Sequence, residues 1–145
     1  MKISSRFGPI EVDPDDVIYF PTGLLGLEAC RRWVLLAEGR SASVAWLQSL
    51  ERPEIALAVT SPRRFVSGYR IRVARRELAA IDLDDAPAGR VLVIVSRTPR
   101  GLSLNLKAPV VINLRRRLGR QVVTNGELPV CYELGRTEVG GRKIA

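Results

Sequence analysis

Turn-forming residues cut this chain into short apolar runs, and that punctuation constrains its fold more than any other feature. Lys2 to Phe7 reads as a first strand, punctuated by Gly8-Pro9 and continued by Ile10 to Val12. Asp13-Pro14-Asp15-Asp16 has turn composition, and Val17 to Phe20 is a short strand that stops at Pro21. Trp33 to Leu36 and Val44 to Leu50 follow, split by Gly39-Arg40-Ser41, and Ile55 to Val59 comes after the Arg52-Pro53 turn. Tyr69 to Val73 alternates, with Tyr69, Ile71 and Val73 toward a core and Arg70 and Arg72 toward water. Val91 to Val95 is a continuous apolar run, which suits a central strand covered on both faces.

After the Thr98–Gly101 turn, Leu102, Leu104 and Leu106 alternate with Ser103, Asn105 and Lys107. Ala108-Pro109 interrupts before Val110 to Leu114 resumes, and Pro109 demands an edge or a kink because it donates no ladder hydrogen bond. Gln121 to Thr124 and Val130 to Leu134 flank Asn125-Gly126, a hairpin signal. The best helix candidate is Arg75 to Ile81, which contains the helix formers Glu77, Leu78, Ala79 and Ala80. So many strand edges are hidden most economically by closure. The expectation is a mostly-β fold: a compact antiparallel barrel-like or sandwich-like single domain over residues 1–134, with one or two short helices and a loose tail from Gly135 to Ala145.

At 145 residues the chain can bury an adequate core without a staple. No apolar run approaches the roughly 20 residues of a membrane span, and Met1 to Arg6 is too polar for a signal peptide. A cytoplasmic location is expected. With no histidine in the chain, Ser-His-Asp and Cys-His arrangements are excluded. Cys30 and Cys131 lack metal or redox spacing and read as small core residues, although Arg31 and Arg32 adjoin Cys30. Asp13, Asp15 and Asp16, and likewise Asp82, Asp84 and Asp85, lack the glycine and closing glutamate of a calcium loop and read as solvated turns. The glycines of 23–26 and 135–141 match no phosphate-binding pattern. The expectation is therefore a binding protein and not an enzyme, with no cofactor and no metal.

The net charge of +8 comes from twenty arginines and only three lysines, Lys2, Lys107 and Lys143. Dispersed arginines fit a solvated surface in an arginine-favouring genome, and they also fit an anionic partner. Arg115-Arg116-Arg117 with Arg120 is the densest group. It reads either as a basic turn or as the phosphate-binding patch of a nucleic-acid-binding β domain, without the aromatic neighbours that such readers use for stacking.

Three segments, in order, resemble the bacterial flagellar assembly factor FliW. The first is Phe7-Gly8-Pro9-Ile10 followed by Ile18-Tyr19-Phe20-Pro21-Thr22-Gly23-Leu24-Leu25-Gly26-Leu27-Glu28, with Leu27 where the family usually has Phe. The second is Trp46-Leu47-Gln48-Ser49-Leu50. The third runs from Leu104 through Asn105, Lys107, Pro109 and Asn113 to Gly119-Arg120-Gln121-Val122-Val123. The resemblance implies a mostly-β, barrel-like, cytoplasmic protein without catalysis. It implies binding to flagellin before export and to the RNA-binding regulator CsrA, whose repression of flagellin translation it relieves. Asn105, Lys107, Pro109, Asn113 and Gln121 fall in the third motif and are the partner-binding residues it suggests. Phe7, Phe20, Leu24 and Leu27 read as core or turn packing.

Overall fold

The computed structural model describes residues 1–38, 41–84 and 89–134. The expected tail, Gly39-Arg40 and Asp85 lie outside the described residues. The strands in chain order are β1 (Lys2–Ser5), β2 (Gly8–Glu11), β3 (Ile18–Tyr19), β4 (Arg32–Glu38), β5 (Ser41–Ser49) and β6 (Ala56–Thr60). A short α-helix, α1 (Arg75–Ala79), precedes β7 (Gly89–Thr98), β8 (Gly101–Leu104), β9 (Val110–Asn113), β10 (Leu118–Gln121) and β11 (Tyr132–Glu133). Among the described residues no helix is long and apolar enough to cross a membrane.

Strands β3 to β7 form an antiparallel meander, each paired with the next. β7 also pairs with β9, β9 with β10, and β10 with β3. The ring β3-β4-β5-β6-β7-β9-β10 is thereby closed, and β8 and β11 extend from the second half of β7. The barrel interior holds Ile18, Phe20, Leu24, Trp33, Leu47, Val59, Leu92, Val110 and Ile112. The Phe20 and Trp33 rings meet edge to face, 6.4 Å between centroids. Two smaller clusters lie outside this core: one around Tyr69, Val93, Leu104 and Leu106, the other around Ile81, Leu83, Val111 and Val122. β7 feeds all three, which is why its apolar run shows no alternation.

The ring closes on a slender seam. Leu118 of β10 is paired with Tyr19 of β3, and Tyr19 N–H donates to the Arg117 carbonyl at 2.9 Å. Next to this pair Gly119 lies flat on the buried Phe20 ring. A β-carbon there would stand 2.4 Å from Phe20 Cζ.

Several sequence expectations need correction. The first strand ends at Ser5, and Gly8-Pro9 belongs to β2. The turn is at Arg6-Phe7, and Gly8 takes φ +100°, a conformation that glycine alone adopts cheaply after such a turn. Tyr69 to Val73 is not a strand, although Tyr69 is buried and Arg70 and Arg72 are exposed as its alternation implied. Its backbone is held by Thr124 instead: Arg72 N–H donates to Thr124 Oγ1 at 2.7 Å, and Asn125 N–H donates to the Arg72 carbonyl at 2.6 Å. Asn125-Gly126 therefore closes no hairpin, and β11 pairs with β8. Cys131 is exposed, whereas Cys30 is in the core as expected.

Gly119→Ala should destabilise the fold by about 1–3 kcal/mol through overpacking against Phe20. Urea unfolding checks this, and Phe20→Leu in the same chain should recover part of the loss. Tyr69 gives a second expectation. Its hydroxyl donates to the Leu106 carbonyl at 2.7 Å, and burial pushes its phenol up to about 12. The folded state favours the neutral phenol, so this contribution is complete below the unfolded value of about 10 and is lost as pH rises through 12. Stability measured against pH should fall over that window, and Tyr69→Phe should remove that part of the slope.

Candidate functional site

The third motif folds as a break in one long strand. Leu104 is opposite Val95, and Val110 is opposite Leu92. Residues Asn105 to Pro109 are thus set against only Val93 and Ile94, and the surplus bulges out of the ladder. Pro109 sits in the kink that its missing donor requires, and it is buried.

Polar side chains set the shape of this bulge. Asn105 Oδ1 accepts from Ala108 N–H at 3.0 Å, while its own N–H still reaches the Ile94 carbonyl. Lys107 Nζ donates to the Gly126 carbonyl at 2.7 Å. The N–H groups of Leu106 and Lys107 both find the Pro129 carbonyl, at 3.1 Å each. Gln121 reaches in two directions. Its Nε2 donates to the Ala108 carbonyl and its Oε1 accepts from Leu25 N–H, each at 2.9 Å. The Pro21–Glu28 loop is therefore tied to the bulge by one amide.

That loop is shaped by Gly23, whose φ of +66° and whose contact of 2.6 Å from a would-be β-carbon to Glu28 Cα leave no room for another residue. Gly26 N–H donates to Glu28 Oε2 at 2.9 Å, and this bond chiefly holds the Glu28 carboxyl below its ordinary range. Leu24 is buried while Leu25 points out, 59% exposed. Val123, two residues beyond Gln121, is 50% exposed. Its neighbours Val122 and Thr124 donate to the Pro109 and Lys107 carbonyls. Leu25 and Val123 thus border Gln121 as exposed apolar groups, which motif matching alone did not single out.

Asn113 is placed differently from the other four. It is buried, and all its hydrogen-bonding capacity is used inside the protein. Nδ2 donates to the Ile81 and Asp82 carbonyls at 2.9 and 3.1 Å, and Oδ1 accepts from the N–H groups of Arg115 and Arg116. Asp82 has φ +56°, Asp82 N–H reaches the Ala79 carbonyl, and Leu83 N–H reaches the Leu78 carbonyl. This is a Schellman closure with an aspartate where glycine is usual. Asn113 therefore fastens the end of the helical segment to the β9–β10 turn.

The arginines of that turn are largely engaged with neighbours. Arg116 pairs with Asp82 at 3.3 Å and Arg120 with Glu77 at 3.2 Å, and Arg117 Nη2 donates to the Asp16 carbonyl at 2.7 Å. Arg115 is exposed. The four form a basic turn whose charge mostly fixes adjacent loops.

Gln48 of the second motif is a residue whose position only the structure reveals. It is fully buried on the outer side of β5, where its Oε1 accepts from Arg6 N–H at 3.0 Å. Its Nε2 lies within hydrogen-bonding distance of the Ser49, Pro53 and Ile55 carbonyls. It thereby anchors the β1–β2 hairpin, whose Phe7 rests on Trp46 with centroids 5.3 Å apart and whose Arg6 lies over the same indole. A glutamine directly after the apolar Val44–Leu47 run was the available sequence signal.

Among the described residues, no three His, Cys, Asp or Glu side chains converge to hold a metal. Asn113→Ala should cost about 2–3 kcal/mol because it strands several buried polar groups. Hydrogen exchange should quicken at α1 and Leu83 while the β4–β5 amides keep their protection. Unchanged exchange at α1 would refute the fastening role.

Comparison with known proteins agrees with this architecture. The family model described as FliW protein matches residues 2–134. The flagellar assembly factor FliW of Natranaerobius thermophilus is 41% identical over 128 residues, which cover 85% of this chain and 84% of the relative. That of Bdellovibrio bacteriovorus is 38% identical over 122 residues, covering 83% and 70%. A crystal structure of the flagellar assembly factor FliW superposes with a TM-score of 0.85 at 26% identity, covering 92% of this chain and 96% of the other. On the match over the whole described barrel, and on identities of this size, the chain belongs to the FliW family of flagellar assembly factors.

Proposed function

We propose that this protein works by binding alone, in the cytoplasm, as a carrier and sensor of flagellin. It holds flagellin before export and, when free of flagellin, binds the regulator CsrA and relieves repression of flagellin translation. The observation that carries this reading is family membership across the entire barrel. The residues of the third motif support a location for the interface. Asn105, Lys107, Pro109 and Gln121 shape the bulge and join it to the Pro21–Glu28 loop, and Leu25 and Val123 offer apolar contact beside that junction. Asn113 contributes at a distance by holding the neighbouring turn. An interface with a small apolar centre and a polar rim is the common form for protein partners.

Calorimetric titration tests the circuit. Binding to the organism's own CsrA should be measurable, and added flagellin should abolish it. Heat with flagellin alone would keep the carrier role and discard the regulatory one; no heat with either partner would sink both. Leu25→Asp combined with Val123→Asp should leave the melting temperature within error and weaken partner binding by at least roughly tenfold, as loss of a central apolar contact does. Normal affinity in that variant would move the interface elsewhere.

A further inference from the structure

A concavity of about 820 Å³ opens between the Ser61–Ile71 segment, α1 and the first half of β7. Ile71, Leu78 and Val91 supply apolar lining. Arg63, Arg70 and Arg90 line it as well, and among the described residues no carboxylate does. Arg70 and Arg90 are exposed and enter no ion pair among the described residues. The groove thus joins an apolar surface to uncompensated positive charge.

The backbone adds an independent observation. β6 accompanies β7 through Val59 opposite Ile94 and Thr60 opposite Val93. Pro62 then starts a 3-10 turn, and β6 goes no further. β7 continues to Gly89, where β9 occupies its other edge. The edge of Gly89 to Leu92 on the β6 side has no backbone partner among the described residues, and Gly89, Arg90 and Val91 line the groove. A bare strand edge within a groove is a template for strand addition.

We propose that this groove docks an extended acidic segment of a partner protein. The segment adds to the free edge of β7, seats alternate apolar side chains on Ile71, Leu78 and Val91, and sets its carboxylates against Arg63, Arg70 and Arg90. The chain's own residues 135–145 have the wrong charge for this role, with Arg136, Arg142 and Lys143 against the single acid Glu138. Nucleic acid would meet the arginines without a stacking surface. The one aromatic residue of the lining, Tyr69, is buried, with its hydroxyl on the Leu106 carbonyl. The site uses neither Leu25 nor Val123, so it stands or falls separately from the flagellin reading.

Fluorescence polarisation with the full chain tests it. The probe is a labelled peptide of alternating Val and Glu, about six residues long to match a typical strand. It should bind, more weakly as salt rises. Replacing Glu by Lys should reduce affinity by at least roughly tenfold, as like charges facing across an interface do. Methylating alternate backbone nitrogens should do the same by removing ladder donors. The double variant Arg70→Glu, Arg90→Glu should melt normally and lose the acidic peptide. Equal binding of the acidic and basic peptides, indifference to the double variant, or indifference to methylation would overturn the proposal. So would a single-stranded oligonucleotide that binds more tightly than the acidic peptide and is lost in the same variant.

Discussion

Closure of the barrel rests on the absence of a side chain at Gly119. β10 can approach β3 only because nothing stands between its backbone and the Phe20 ring. Once that approach is made, the Leu118–Tyr19 pair and the hydrogen bond from Tyr19 to Arg117 join the two ends of the sheet. Phe20 then fills the space beside Trp33, and the core has no open side at the seam. The contact is van der Waals in kind, so it directs the chain through shape and not through bond strength.

The polar residues of the motifs follow a common logic. Gln48, Gln121 and Asn113 each use one amide to join segments far apart in sequence: a hairpin to a strand end, a loop to a bulge, a helix end to a turn. Amides suit this work because they donate and accept at once and carry no charge to be desolvated. Beside the bulge, Leu25 and Val123 are exposed while the Gln121 amide is used within the protein. The arginine turn is similar, since Arg116 and Arg120 lie on Asp82 and Glu77.

Much of this was legible in the sequence. The β class, the central place of the Val91–Val95 run and the kink at Pro109 followed from periodicity and from the missing proline donor. Tyr69 to Val73 was not legible as a loop, because burial alternates there just as it does in a strand. Only the claim of Thr124 on Arg72 diverts its backbone. Asn125-Gly126 misled for a related reason: a turn dipeptide says that the chain reverses, not which strand it meets next. The inward hydrogen bonding of Asn113 and Gln121 was not legible, since spacing does not tell which way an amide faces. The exposure of Leu25 and Val123 was hidden for the same reason.

The pairing pattern of β7 has a consequence in time. The meander from β3 to β7 joins neighbours along the chain, so each pairing can form as synthesis proceeds, with the longest connection between Thr60 of β6 and Gly89 of β7. β8 and β9 have no place to attach until β7 is present, and β10 must then span back to β3, which left the ribosome long before. The order in which the ribosome delivers the strands is thus the order in which the barrel can be built. Its last step is the one pairing that spans most of the sequence, and until then the interior surface of the meander is exposed to the cell.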